Sequence, residues 1–203
     1  MSYFRPPVLG LALVTAAAFG LRVIGIGNLG DLDFDEQASF FIGSMPPGEM
    51  VAYLVRAPFE HPPAYYLLLH VWLAATGPSE AAMRLFSVLL GTLAVPLVGL
   101  AAGRMGGPRA GLVASIALAV LPLHVFYSRD ARMYPFLTAL MALVLVSIGD
   151  ARWRWLSWGA AAAALATHYY ALVALVGVAA GVAVPAVWGR RADGRLSGGT
   201  ALF

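Results

Sequence analysis

Apolar residues fill long unbroken runs in this chain, and the polar residues collect in the gaps between them. Six runs approach the length of a bilayer crossing: about residues 7–26, 85–103, 110–127, 133–149, 155–168 and 170–188. A helix needs roughly 20 apolar residues to cross a hydrocarbon core of ~30 Å. A further run, "PPAYYLLLHVWLAAT" at 62–76, would reach only ~22 Å as a helix at about 1.5 Å per residue. It opens on two prolines and contains His70, so it reads as a helix lying in the membrane interface. The pattern predicts an all-α polytopic transmembrane bundle of about six spans. Juxtamembrane helices, "DEQASFFIG" at 35–43 among them, sit in a first outer loop at 27–84. Residues 1–189 form this unit, and 190–203 read as a cytoplasmic tail or the start of a truncated loop.

Composition agrees with that class. Of 203 residues, 61% are hydrophobic and only 11% charged, where a soluble domain carries about a quarter. Mean hydropathy is +0.80. With no cysteine there is neither a disulfide framework nor a thiolate metal site. Residues 7–20 after Arg5 have the outline of a signal peptide, but the chain that follows is itself membrane-embedded, so an uncleaved first span is expected.

All thirteen basic residues are arginine, and their placement orients the bundle. With a cytoplasmic N-terminus, the inner segments hold Arg5, Arg104, Arg109, Arg152, Arg154, Arg190, Arg191 and Arg195. The outer segments hold Arg56, Arg84, Arg129 and Arg132, and Arg22 lies within the first span. Eight inside against four outside follows the positive-inside rule. Counting 62–76 as a seventh span would break the bias. The net charge of +3 is thus a matter of membrane sidedness and no ground for nucleic-acid binding. The fifth and sixth runs are separated only by "THYY", Thr167 to Tyr170, taken as an outer turn. Pro96 and Pro122 fall inside apolar runs, where neighbouring helices can satisfy the freed carbonyls. Gly99 and Gly103 have the spacing of a helix-packing face.

Polar residues from separate parts of the chain converge on the outer face. "GDLDFDEQASFF" at 30–41 carries Asp31, Asp33, Asp35 and Glu36. "EHPPAYY" brings His61, and "YSRDARMYPF" brings Arg129, Arg132 and Tyr134. Arg84 opens the second run, and "THYY" adds His168 and Tyr169. Transfer of a group from a lipid phosphate to a hydroxyl needs a base for the incoming hydroxyl, which a carboxylate supplies. It also needs cations for the departing phosphate, which arginine binds bidentately. Asp35 or Glu36 fits the first role, and Arg129, Arg132, Arg84 and His61 the second. Adjacent helical residues point ~100° apart, so both acids do not face one reacting atom. The plain alternatives are a solvated outer loop for Asp31 and Asp33, interfacial anchors for Arg129 and Arg132, and packing for His70 and His124. A metal held by Asp35, Glu36 and His61 lacks any tight ligand spacing.

The ordered set of these segments, over roughly residues 8–188, resembles the N-terminal module of the GT-C glycosyltransferases. The subgroup it is most similar to is the family-39-like bacterial enzymes, relatives of protein O-mannosyltransferases and of the lipid A aminoarabinose transferase. The resemblance implies that Asp35 is the first-loop catalytic aspartate and Glu36 its acidic neighbour. His61 would stand near the donor phosphate, and Arg84, Arg129, Arg132 and Tyr134 would border the active site. It also implies a polyprenyl-phosphate sugar as donor, and as acceptor a hydroxyl of a lipid, glycan or protein. Inversion at the anomeric carbon is expected, with no cofactor beyond the donor and no metal. The enzyme would lie in the plasma or inner membrane with its site on the outer side. Members of the group usually continue through further spans. A lipid-phosphate-binding transporter or flippase-like subunit, or an inactive fragment, are the rival expectations. A transporter would place polar residues near the bilayer midplane rather than at one surface.

Overall fold

The computed structural model of the chain describes residues 8–57, 60–181 and 183. All regular structure among them is helical. The first helix, α1 (Val8–Val23), continues through a 3₁₀ turn at Ile26–Asn28. Three short helices follow: α2 (Phe34–Gly43), α3 (Pro47–Arg56) and α4 (Ala64–Thr76). The α2 and α4 segments are the short helices expected from the sequence. The α3 helix was not foreseen from the sequence; proline suits the first position of a helix. Buried Met50 anchors it.

The three short helices share one core with the start of the next helix. Tyr65, Tyr66, Leu69 and Leu73 of α4 pack against Ile42, Met50, Met83, Phe86 and Met133. Trp72 Nε1 donates to the Ala82 carbonyl at 2.8 Å, and His70 Nδ1 lies 3.0 Å from the Gly43 carbonyl. His70 is therefore a hydrogen-bonded packing residue.

Next comes α5 (Glu80–Val120), whose N-terminus is capped by Ser79 Oγ accepting from the Ala82 N–H at 3.1 Å. A straight helix of its 41 residues would be ~60 Å long, about twice the apolar thickness of a bilayer. Gly107, at φ 85° and ψ 178°, breaks it. Only glycine enters that region freely. The arms 80–106 and 108–120 fold back on each other, with Gly99 against Ser115 and Gly103 against Gly111. A methyl group on Gly99 would overlap the Ser115 hydroxyl and the Leu11 side chain. The Gly99/Gly103 face is thus the seam of the hairpin.

The run 110–127, expected as one span, is broken. Leu121 is extended at φ −60° and ψ 115°, and α6 (Pro122–Arg129) starts anew. Proline 122 has no N–H for the Leu118 carbonyl. Arg22, fully buried on α1, replaces the missing donors: Nη2 lies 3.2 Å from the Leu118 oxygen and Nη1 3.0 Å from that of Ala119. Its Nη1 also bonds the Ala18 carbonyl, and its Nη2 lies 3.0 Å from His124 Nδ1. A lone arginine in the first span therefore caps a broken helix from the neighbouring one.

The chain then reverses, since α7 (Tyr134–Ser147) is bent 120° from α6. A 3₁₀ turn at Ala151–Trp153 leads into α8 (Arg154–Leu165), tied to α7 by a 2.8 Å bond between the Ser157 and Ser147 hydroxyls. The "THYY" segment is a turn, as expected, and α9 (Tyr170–Gly181) follows. Leu140, Val144, Ala160, Ala164 and Ala171 form a second core among α7, α8 and α9. By length and composition, two helices could cross a membrane, Val8–Asn28 and Glu80–Val120, with the bent pair α6–α7 a third. The end of the sixth run and the tail at 190–203 lie outside the described residues.

Candidate active site

The site assembles on the first turn of α2. Asp33 caps it: its Oδ1 accepts from the Glu36 N–H at 2.8 Å, while Glu36 Oε2 accepts from the Asp33 N–H at 3.3 Å. This capping box fixes the direction of both following acids. Glu36 turns inward, and its side chain is 4% exposed. Arg84 grips it with two parallel bonds, Nε to Oε1 at 2.9 Å and Nη2 to Oε2 at 2.7 Å. The Ala131 N–H adds a further bond to Oε1 at 3.1 Å. Arg84 also donates to the carbonyls of Gly30 and Asp31. Glu36 and Arg84 thereby knot the first loop, the start of α5 and the α6–α7 link, and Glu36 has little capacity left for a substrate.

Asp35 points the other way, with its side chain 58% exposed. Arg132 approaches it, Nη2 at 3.6 Å from Oδ2, and bonds its carbonyl through Nη1 at 3.1 Å. Arg132 is itself only 7% exposed, and its Nε has no partner among the described residues. Its guanidinium lies 5.9 Å from the centre of the Tyr134 ring, within cation–π range.

Beside this pair stands an aromatic wall. His61 stacks on His168 with ring centres 4.3 Å apart, and Tyr134 lies 5.7 Å from His168. The α8–α9 turn is held to the first loop by Tyr169, whose hydroxyl donates to the Glu60 carbonyl at 3.0 Å, and by the Ala64 N–H bonding the Ala166 carbonyl at 2.8 Å. His168 Nδ1 accepts from the Tyr170 N–H at 3.1 Å, so the neutral ring carries its proton on Nε2. Burial, then His168 and Arg132, push His61 down to about 4, against the opposing pull of Asp35. His168 is lowered too, by burial and then by Arg132. Both imidazoles are thus neutral near pH 7.

The two arginines of "SRDARMY" part company. Arg129 donates Nη2 to the Ile24 carbonyl at 2.9 Å, fastening the α6 end to the end of α1, away from Asp35. Between them Asp130, not singled out from the sequence, joins Asp33 and Glu36 in a carboxylate group within 4.8 Å. Burial, then Asp33 and Glu36, raise Asp130 to about 7. Its position between two site arginines was the available signal. These acids are a different set from the Asp35, Glu36 and His61 weighed as metal ligands.

An all-helical chain with long apolar helices, and an acidic first-loop turn facing arginines and histidines gathered from distant segments, has the form of a GT-C membrane glycosyltransferase. A family model described as dolichyl-phosphate-mannose-protein mannosyltransferase matches residues 60–194, about two thirds of the chain, and the chain belongs to that family. No curated protein and no solved structure matches it.

Proposed function

We propose that the chain transfers a sugar from a polyprenyl phosphate to a hydroxyl group at the outer face of a membrane. The observation that carries this reading is the meeting of Asp35, the one well-exposed carboxylate of the α2 turn's "DE" pair, with Arg132, His61, His168 and Tyr134 from three other segments. In this mechanism the Asp35 carboxylate takes the proton of the acceptor hydroxyl. The hydroxyl oxygen attacks the anomeric carbon as its bond to the phosphate oxygen breaks. The phosphate departs with the electron pair and the anomeric centre inverts. Arg132 stabilises the charge on the leaving group, and the neutral His61 and His168 each offer one N–H. Glu36 and Arg84 are positioning residues here, and Tyr169 holds the α8–α9 turn over the site. The family's name supports a mannose-type donor on an isoprenoid phosphate.

The test is release or transfer of sugar from a panel of polyprenyl-phosphate sugars by the full chain and by Asp35→Asn. Loss of a general base is expected to lower the rate about 10²- to 10⁴-fold, with donor binding retained. Unchanged transfer by Asp35→Asn would remove the base assignment. Binding without any turnover by the unaltered chain would favour a lipid-phosphate-binding module.

A further inference from the structure

The far end of the α7–α8 hairpin carries a cationic and aromatic tip for which the transfer chemistry has no use. The hairpin opens and closes at the site, where Tyr134 and His168 have ring centres 5.7 Å apart. Between them α7 runs 14 residues out to Ser147 and α8 runs 12 residues back. At about 1.5 Å per residue the tip lies ~20 Å from the site, short of the ~30 Å thickness of a hydrocarbon core. The tip exposes Arg152, Trp153, Arg154, Trp155 and Trp158. Trp155 and Trp158 are 68% and 72% exposed and, three residues apart, share one face of α8.

The turn is built to hold these side chains out. Asp150 Oδ1 accepts from the Arg152 N–H at 2.9 Å, and the Trp153 N–H bonds the Asp150 carbonyl at 3.0 Å. The Ser157 hydroxyl pins α8 to Ser147 of α7. The Asp150 carboxylate is thus engaged by the backbone, and neither guanidinium has a carboxylate partner among the described residues. Bare guanidinium groups at the edge of an apolar slab are costly unless a counter-charge meets them. Both side chains are long enough to reach the headgroup layer, and tryptophan favours that same layer. The counter-charge available there is lipid phosphate. The break at Gly107 makes the comparison: Arg104 and Arg109 flank it and are exposed, yet no aromatic residue stands between them. Sidedness of charge accounts for that tip, but not for the tryptophans interleaved with arginines in "ARWRWLSW" at 151–158.

We propose that the α7–α8 tip is a docking surface for anionic phospholipid headgroups in the leaflet away from the site, with Arg152 and Arg154 on the phosphates and Trp155 and Trp158 just beneath them. A zwitterionic headgroup brings its own ammonium to a tip that already has positive charge in excess, so an anionic one fits better. The proposal rests on the membrane placement of the chain and is independent of the transfer chemistry.

The test uses the full chain in equimolar vesicles of phosphatidylcholine and phosphatidylglycerol, in which one lipid or the other carries brominated acyl chains that quench tryptophan fluorescence. Brominated phosphatidylglycerol should quench more strongly, from an enrichment at the tip of about fivefold per arginine, the equivalent of ~1 kcal/mol. Arg152→Gln with Arg154→Gln should abolish the difference, whereas Arg104→Gln with Arg109→Gln should leave most of it. Trp155→Leu with Trp158→Leu should remove the lipid-selective part of the signal, which separates the tip from Trp72 in α4. All these positions are exposed, so the unfolding midpoint in detergent should hold. Equal quenching of the unaltered chain by the two lipids would overturn the proposal. So would a difference that survives in Arg152→Gln with Arg154→Gln, or one lost equally in Arg104→Gln with Arg109→Gln, which would reduce the effect to net charge. A selective signal that remains without Trp155 and Trp158 would put the lipid elsewhere and overturn it too.

Discussion

Two buried arginines solve the same problem in different surroundings. Arg84, at the loop end, is neutralised by a carboxylate and spends its remaining donors on loop carbonyls. Arg22, within the first helix, has no carboxylate partner among the described residues and meets carbonyls and an imidazole instead. The difference shows what each is for. A charge pair fixes loops that have no regular hydrogen bonding of their own. A fork of donors repairs a helix where proline has freed the backbone carbonyls. Arg84 therefore holds the reactive turn in shape, and Arg22 holds α1 against α5 and α6 beneath it.

Breaking the first pair should have the largest effect. Glu36→Gln leaves Arg84 buried without its counter-charge, which costs about 3–5 kcal/mol. The expected outcome is a large fall in the unfolding midpoint in detergent. Glu36→Gln combined with Arg84→Met should recover most of it, because no lone charge then remains. If the double variant is no more stable than Glu36→Gln alone, the pair is not what knots the loop.

A smaller effect is expected at Arg22. Arg22→Leu removes a charge that has no ionic partner, but leaves the Leu118 and Ala119 carbonyls unsatisfied, at about 1–3 kcal/mol for a buried polar group. The comparison sharpens with Pro122→Ala, which returns an N–H for the Leu118 carbonyl. In the Arg22→Leu background that change should recover part of the lost stability, as read from the unfolding midpoint. Further loss would show that the break at Leu121 is held by something other than the missing donor.

How far these features could be read from sequence follows the range of the forces involved. Hydrophobic runs and punctuation are local, and they placed the short helices α2 and α4, the turn at "THYY" and the glycine seam of the hairpin. Partner choice is not local. Arg22 was visible as a lone cation in an apolar run, but its carbonyls lie 96 and 97 residues away. That Asp35 and Glu36 face apart followed from helical geometry, whereas which of them turns inward depends on the Asp33 cap and on Arg84, 48 residues on. The α3 helix (Pro47–Arg56) lies outside the apolar runs, so the hydrophobic pattern did not mark it.

The smallest predicted effect tests whether the loop-end knot is tuned by protons. Asp130 is raised from 3.8 to about 7, so the folded chain holds a proton that the unfolded chain has released. The stability this contributes is complete below pH 3.8 and is lost as pH rises through about 7. His61 acts in the opposite sense: lowered from 6.5 to about 4, it costs stability as pH falls from 6.5 to about 4. The two oppose each other between pH 4 and 6.5, and only Asp130 remains above that window. The unfolding midpoint should therefore decline modestly from pH 6.5 towards 8, since Asp130 is only partly buried and solvent screens it. In Asp130→Asn that decline should vanish, while in Arg22→Leu it should persist on a lower baseline. A decline that survives in Asp130→Asn would mean that Asp130 is not the group that holds the proton.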